Sequence, residues 1–291
     1  NNNNFQDNFT IFKKLGLLIL LLPTSLGGRS GHLQDLLECQ LAISERCLHT
    51  SIWFTRCAVA PYLIKKFGDN VFEQIFGADN EALVYLNYGN LEDNKYASIP
   101  NQYDYILLLD NNKYSILDLD RKIIAERSIR DLTDHDFSLL PWFQIYNRVL
   151  TTSCLGGLKQ IINLAMNIDD RRLYTLLGTH LAELDEMKLC LHRNINHALL
   201  HVEQGEEVPM YDRVKYKVQS GLVYSRCNKI AYEIYYFCET LKNVYRLDND
   251  NIKQILNQMA DINIEHLSQF DDNAVRYIRE LKSLPIQDLY L

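Results

Sequence analysis

The sequence contains no Gly-x-Gly-x-x-Gly turn and no P-loop, so it lacks the common glycine-built cradles for dinucleotides and nucleoside triphosphates. It has no dense cluster of Lys and Arg, and its net charge is −7. A dedicated nucleic-acid binder needs the opposite balance, because its affinity rests on cations that neutralise phosphates. The seven cysteines (Cys39, Cys47, Cys57, Cys154, Cys190, Cys227, Cys238) are an odd number and include no Cys-x-x-Cys pair. Most sit inside apolar helical pattern, which reads as buried free thiols in a reducing, cytoplasmic compartment. Neither they nor Ser153 carry the local signature of a nucleophile. No apolar run is long enough to span a membrane. The run LGLLILLL after Lys13-Lys14 has the basic, apolar, small-residue order of a secretory signal. Its polar leader NNNNFQDN and the following PTSLGG favour a buried helix end and a Pro/Gly turn instead.

At 291 residues, 47% of them hydrophobic and 23% charged, the chain has the balance of a soluble globular protein and can bury one large core or two smaller ones. From Leu33 to Phe76, apolar residues at mixed spacings of three and four predict two or three helices, with Pro61 starting a new turn and Gly68 as a C-cap. Between Ala82 and Arg130 the character changes. ALVYLNY, YDYILLLD, KYSILDLD and KIIAERSI are short, β-branched and aromatic, and Asp110 to Asn112 is a hairpin turn between two of them. Helical pattern returns near Leu140 and continues almost to the C-terminus, broken at Gln204 to Pro209 and Leu247 to Asn251. The reading is mainly α with a small β domain: an N-terminal helical domain over 1–80, a short middle β domain over 81–139 and a C-terminal four-helix-type bundle over 140–291.

The most helix-like stretch is Tyr146 to Arg172. Val149, Leu150, Cys154, Leu158, Ile161, Ile162 and Ala165 repeat at three and four and mark a face for burial. Gly156 and Gly157 stand in the middle of it. Each glycine costs a helix about 1 kcal/mol relative to alanine, so the pair predicts close approach of another backbone or of a flat ligand.

With these elements in this order, the chain resembles the acyl-CoA dehydrogenase family of flavoproteins. Two places carry the resemblance. One is Leu17-Leu18 through LLPTSLGGRSG, where Pro23, Gly27 and Gly28 keep the family spacing and Gly31 falls one residue late. The other is Arg148, Gly156 and the apolar run into Arg171-Arg172, followed by ELDEMKL (Glu183 to Leu189). The resemblance implies FAD held between a β domain and a helical bundle, and oxidation of the Cα–Cβ bond of an acyl thioester on CoA or on an acyl-carrier protein. It also implies a homo-oligomer, or a hetero-oligomer with a paralogue, and assigns Arg148 and Arg172 to cofactor binding.

The sequence departs from the family where chemistry is done. Asn147 stands at one family position of the catalytic base, and an amide cannot accept a proton at neutral pH. The other family position lies in a Tyr-Glu-Gly segment, yet no glycine occurs between Tyr236 and Asp261. Glu233 and Glu239 read as a solvated helix face. The family's Thr-Glu-Pro and Gly-Ser-Asp loop has no counterpart, and Arg171 and Arg172 also read as cations at a helix C-terminus.

His192, His197 and His201 share one helix, the last two at i, i+4 with Glu203 close behind. A metal site needs a third ligand, and the sequence marks none, so no metal is assigned. His266 sits near a histidine of the family's monooxygenase branch, but Asn257 and Gln258 replace the Arg-Asp pair that precedes it there. Three readings follow: an FAD-dependent acyl-thioester dehydrogenase; a flavin-free binding or scaffold subunit, a pseudoenzyme of the same fold; and a flavin-dependent monooxygenase.

Overall fold

The computed structural model describes residues 3–77, 82–88, 103–110, 113–128, 142–245, 249–260, 262 and 278, with backbone alone for 3–8, 87–88, 109–110, 142–150, 202 and 243–245. Among them are helices α1 (Asn3–Lys14), α2 (Leu33–Ser44), α3 (Leu48–Lys65), α4 (Asp69–Phe76), α5 (Trp142–Ala165), α6 (Arg171–Glu203) and α7 (Met210–Tyr245), and strands β1 (Val84–Tyr88), β2 (Tyr105–Asp110), β3 (Lys113–Leu117) and β4 (Ile123–Ser128, the last residue by its backbone alone). A further helical stretch covers 250–260. No helix among the described residues is long and apolar enough to cross a membrane. The chain divides into two compact units, Asn1–Leu36 with Trp53–Pro141 and Leu37–Ile52 with Trp142–Leu291.

The first unit holds the sheet, in the order β1-β2-β3-β4. β1 runs parallel to β2, and the other neighbours are antiparallel. Asp110 pairs with Lys113, so the expected hairpin forms around residues 111–112, which themselves lie outside the described residues. All four strand-like runs of the sequence are strands. Leu86, Ile106, Leu107, Tyr114 and Ile116 are buried on the sheet, and Phe9 and Phe12 of α1 meet Trp53 and Phe54 of α3 edge to face.

Three expectations in this unit change. The apolar run after Lys14 is not a helix end: Gly16, at φ 68°, takes the left-handed conformation that stops α1. The chain then folds through 3₁₀ turns at Leu17–Ile19 and Thr24–Leu26. Backbone bonds from Ser30 to Leu22 and from Gly31 to Leu20 close this loop, and Leu18 and Leu22 are buried beneath it. Pro61 starts no new turn but lies inside α3. A proline there costs roughly 3 kcal/mol. Val59, Leu63 and Ile64 are fully buried around it, and each contributes about 1.5–3 kcal/mol, so packing outweighs the breaker. Gly68, expected to cap the end of the preceding helix, is instead the N-cap residue of α4, three residues beyond the end of α3.

The second unit is the bundle. α5 packs against both α6 and α7. Cys154, Leu158, Ile161, Ile162 and Ala165 have no exposed surface, which is the apolar face read from the sequence. On α6, Leu173, Leu177, Leu184, Met187, Leu191, Ile195 and Ala198 are buried at helical spacing, and on α7 Cys227, Ile230, Ala231, Ile234, Cys238 and Leu241. The break at Gln204 to Pro209 falls where composition placed it, whereas of Leu247 to Asn251 the residues 247–248 lie outside the described residues and Asp250 and Asn251 are already helical.

The glycine pair serves protein packing. A Cβ on Gly156 would fall on the Ser44 side chain and 2.8 Å from its carbonyl carbon, and one on Gly157 would stand 3.0 Å from Leu48 and 3.4 Å from Met259. The close neighbour is the end of α2, not a flat ligand. Beside this contact runs a buried polar seam: Gln40 donates to Ser153 at 2.6 Å, the Ser51 and Ser153 hydroxyls share a bond of 3.0 Å, and Ser51 also donates to the Gln40 carbonyl at 3.2 Å.

Gly156→Ala is expected to destabilise the protein by about 1–3 kcal/mol, the range for overpacking, measured by urea denaturation. Ser44→Gly in the same chain should recover part of the loss, because it removes the side-chain half of the clash. Additive losses in the double variant would show that the two residues do not meet.

Candidate functional site

The chemistry-bearing side chains of the bundle gather on α6 and α7. His180 of α6 is buried, with its two ring nitrogens facing carboxylates on opposite sides. Nδ1 lies 3.7 Å from Glu183, one turn along α6, and Nε2 lies 3.6 Å from Glu233 on α7. These distances exceed a direct hydrogen bond, and neither ring nitrogen has a hydrogen-bond partner among the described residues. Arg226 of α7 grips Glu183 in a two-pronged bond of 2.9 and 2.6 Å.

The electrostatics follow from that grip. The Arg226 guanidinium holds the Glu183 carboxyl below the usual range, against the opposing effect of burial, and Glu183 raises Arg226 in turn. Glu183 therefore stays ionised beside a buried imidazole, with Glu233 on the other side. The imidazole is thus held between two carboxylates without a direct bond to either. Glu233 is exposed, as sequence reading placed it on a solvated face, while Glu183 was used only as a helix marker. His180 and Arg226 carry no local signature, because what joins them is the pairing of α6 with α7 at residues more than forty apart.

The residues that the family resemblance assigned separate. Asn147 and Arg148 lie on α5, and their side chains are outside the described residues. Arg172 is exposed and bound in place by Asp170, with Nη2 at 3.0 Å and Nε at 3.4 Å. It also lies over the Phe237 ring at 5.9 Å. Nor do Arg171 and Arg172 end a helix. α5 stops at Ala165, and the arginines open α6, where the macrodipole disfavours cations. Asp170 explains the reversal: its Oδ1 accepts the backbone N–H groups of Arg172 and Leu173 at 2.8 and 3.1 Å. It thus caps the helix and neutralises the cation at once. These bonds, led by the one from Arg172, hold its carboxyl below the ordinary range.

Glu239 accepts a bond from Asn249 at 2.8 Å. His266 lies outside the described residues, while Asn257 is exposed and Gln258 half-buried on the stretch 250–260. Of the three helical histidines, His192 meets Glu38 at 3.2 Å, whereas His197 and His201 are ring neighbours with centroids 5.1 Å apart. All seven cysteines are free. Burial pushes the thiols of Cys57, Cys154 and Cys227 well up and that of Cys238 up to about 11, which keeps these four protonated at neutral pH.

The sequence matches no protein-family model and no curated protein. Solved structures do match. The crystal structure of 3-HSA hydroxylase from Rhodococcus sp. RHA1 is 11% identical, with a TM-score of 0.79 over 96% of this chain and 90% of that one. XiaF from Streptomyces sp., in complex with FADH2 and glycerol, is 11% identical with a TM-score of 0.75 over 94% and 87%. TdsC from Paenibacillus sp. A11-2, with FMN and indole, is 11% identical with a TM-score of 0.65 over 96% and 91%. At such identities the likeness is one of fold, and the chain has the acyl-CoA dehydrogenase-like fold.

Glu183→Gln tests the carboxylate–arginine grip. A depressed folded-state carboxyl contributes stability that is present above the unfolded glutamate value, near pH 4.3, and is lost as pH falls through the lower folded value. At neutral pH the variant should be less stable by about 0.5–1 kcal/mol, since Arg226 is partly solvated. The gap between wild type and variant, followed by Tm from pH 7 to 3, should narrow as the pH drops below about 4.3. A constant gap would remove the ion pair as its cause.

Proposed function

We propose that this chain is a flavin-dependent monooxygenase of the acyl-CoA dehydrogenase-like fold. It takes up reduced FMN or FAD and inserts one oxygen atom of O2 into an aromatic substrate. One observation carries the reading: almost the whole chain shares its fold with proteins described as a hydroxylase and as monooxygenases, among them a dibenzothiophene monooxygenase, and matching structures hold FADH2 or FMN with indole. Fold alone is an analogy about function, and it supports oxygen insertion over dehydrogenation of an acyl thioester. The dehydrogenase reading needs a carboxylate base, and the sequence puts Asn147 at one of its two positions.

The residues that the resemblance assigned to flavin do not by themselves fit that role. Arg172 is bound to Asp170, the glycine pair is filled by Ser44 and Leu48, and the Arg148 side chain is outside the described residues. The same two occupied features favour a second reading, a flavin-free scaffold subunit of this fold.

The two readings separate in one experiment. The purified chain is mixed with oxidised and, anaerobically, with reduced FMN and FAD, and passed through gel filtration while the flavin absorbance is followed. Co-migration of either redox state is expected. Oxygen-dependent conversion of an aromatic probe such as indole, with the reduced flavin, would then support the monooxygenase. A chain that retains no flavin in either state would leave only the scaffold.

A further inference from the structure

We infer that the turn between α6 and α7 is a binding site for a zinc-class divalent cation, with His197, His201 and Asp212 as its protein ligands. One ring nitrogen of each histidine and one Asp212 carboxylate oxygen lie within 4.8 Å of one another. The histidines are four residues apart on the last turns of α6, so both project from one face. Asp212 comes from the first turn of α7, returned to that face by the loop Gln204 to Pro209. This is the third ligand that the sequence does not mark. Zinc bonds of about 2.0–2.2 Å set tetrahedral ligand atoms roughly 3.3 Å apart, so small side-chain rotations would bring the three atoms onto one ion.

The surroundings are those of a ligand set. Nδ1 of His197 is hydrogen-bonded to the hydroxyl of Tyr216, a buried residue of α7, which leaves Nε2 of that ring for an ion. Nδ1 of His201 lies 3.5 Å from the Glu206 carboxylate. The His197 ring is held as metal-bound histidines are, one nitrogen free for the ion and the other on a partner that fixes the ring, and Glu206 faces the His201 ring. Two imidazoles and one carboxylate suit zinc and its transition-metal neighbours, not calcium or magnesium, which want oxygen alone. Three protein ligands leave a fourth position for water. Lys215, 3.9 Å from Asp212, is the cation that a bound metal would outcompete. His192, turned to Glu38, has no part in the set. The site stands apart from the flavin chemistry and does not depend on it.

The test uses the full chain, freed of metal by EDTA dialysis and then equilibrated with zinc chloride. Bound zinc is counted by elemental analysis, and Tm is recorded with and without zinc. Wild type should retain one equivalent more than either His201→Ala or Asp212→Asn, and only wild type should gain Tm at saturating zinc. Lys215→Ala, which removes the competing cation, should bind zinc more tightly than wild type, and this arm holds even if a ligand variant fails to fold. Equal retention in all chains would place the zinc elsewhere, on thiols for example, and overturn the assignment. Loss with His201→Ala but not with Asp212→Asn would reduce the site to an ordinary histidine pair and overturn it as well.

Discussion

Residue 156 sets how close α5 can come to the end of α2, and the bundle unit is organised around that distance. With no Cβ at 156, the Ser44 backbone lies in van der Waals contact with the helix. Only at that separation can the short side chains next to it reach across: Ser153 and Ser51 have one rotatable bond each, and Gln40 must span the rest. Buried hydroxyls left unpaired cost about 1–3 kcal/mol each, so the seam and the glycine depend on one another. A helix that backed away by a methyl group would lose contact and hydrogen bonds together. The same approach fixes the rotation of α5, which turns Cys154, Leu158, Ile161 and Ile162 into the core.

Asp170 does comparable work at the next corner. Its single carboxylate caps α6, sets where the helix begins, and holds Arg172 against the N-terminal end of a macrodipole that would repel it. An arginine so placed is a structural cation. Its match to the family's helix-ending arginine is a match of sequence spacing whose local structure has changed, since here it opens a helix. Local capping decided the matter, and capping is readable in principle: Asp170 precedes the first residue of α6.

The fold was legible where it rests on short-range periodicity. The four strands, the hairpin around residues 111–112, the apolar face of α5 and the break before α7 all follow from alternation, turn residues and helical spacing. It was illegible where tertiary packing overrules a local rule. Pro61 sits inside α3 because Val59, Leu63 and Ile64 are buried around it, and an apolar neighbourhood by itself does not tell a buried helix from the start of a new turn. The run after Lys14 is apolar enough to continue a helix, and one left-handed glycine, Gly16, redirects it. The glycine pair announced a close approach, but Ser44, its partner, is more than a hundred residues distant.

The histidines of α6 show the same limit in its sharpest form. His180, His192, His197 and His201 are one residue type on one helix, and spacing sorts them only into a pair at i, i+4 and two others. Their chemistry is assigned from outside. His180 is buried between Glu183 and Glu233, His192 faces Glu38, His197 bonds Tyr216, and His201 faces Glu206. Two of these partners are supplied by α7, one by α2 and one by a loop, and only Glu183 belongs to α6 itself. A buried imidazole flanked by carboxylates leaves no ring nitrogen open, whereas one with its Nδ1 tied to a hydroxyl offers Nε2 to a ligand. The same side chain thus takes opposite roles according to which helix packs beside it. For this reason a sequence can mark the histidines as chemically able, while the packing of α6 against its neighbours decides what each one is able to do.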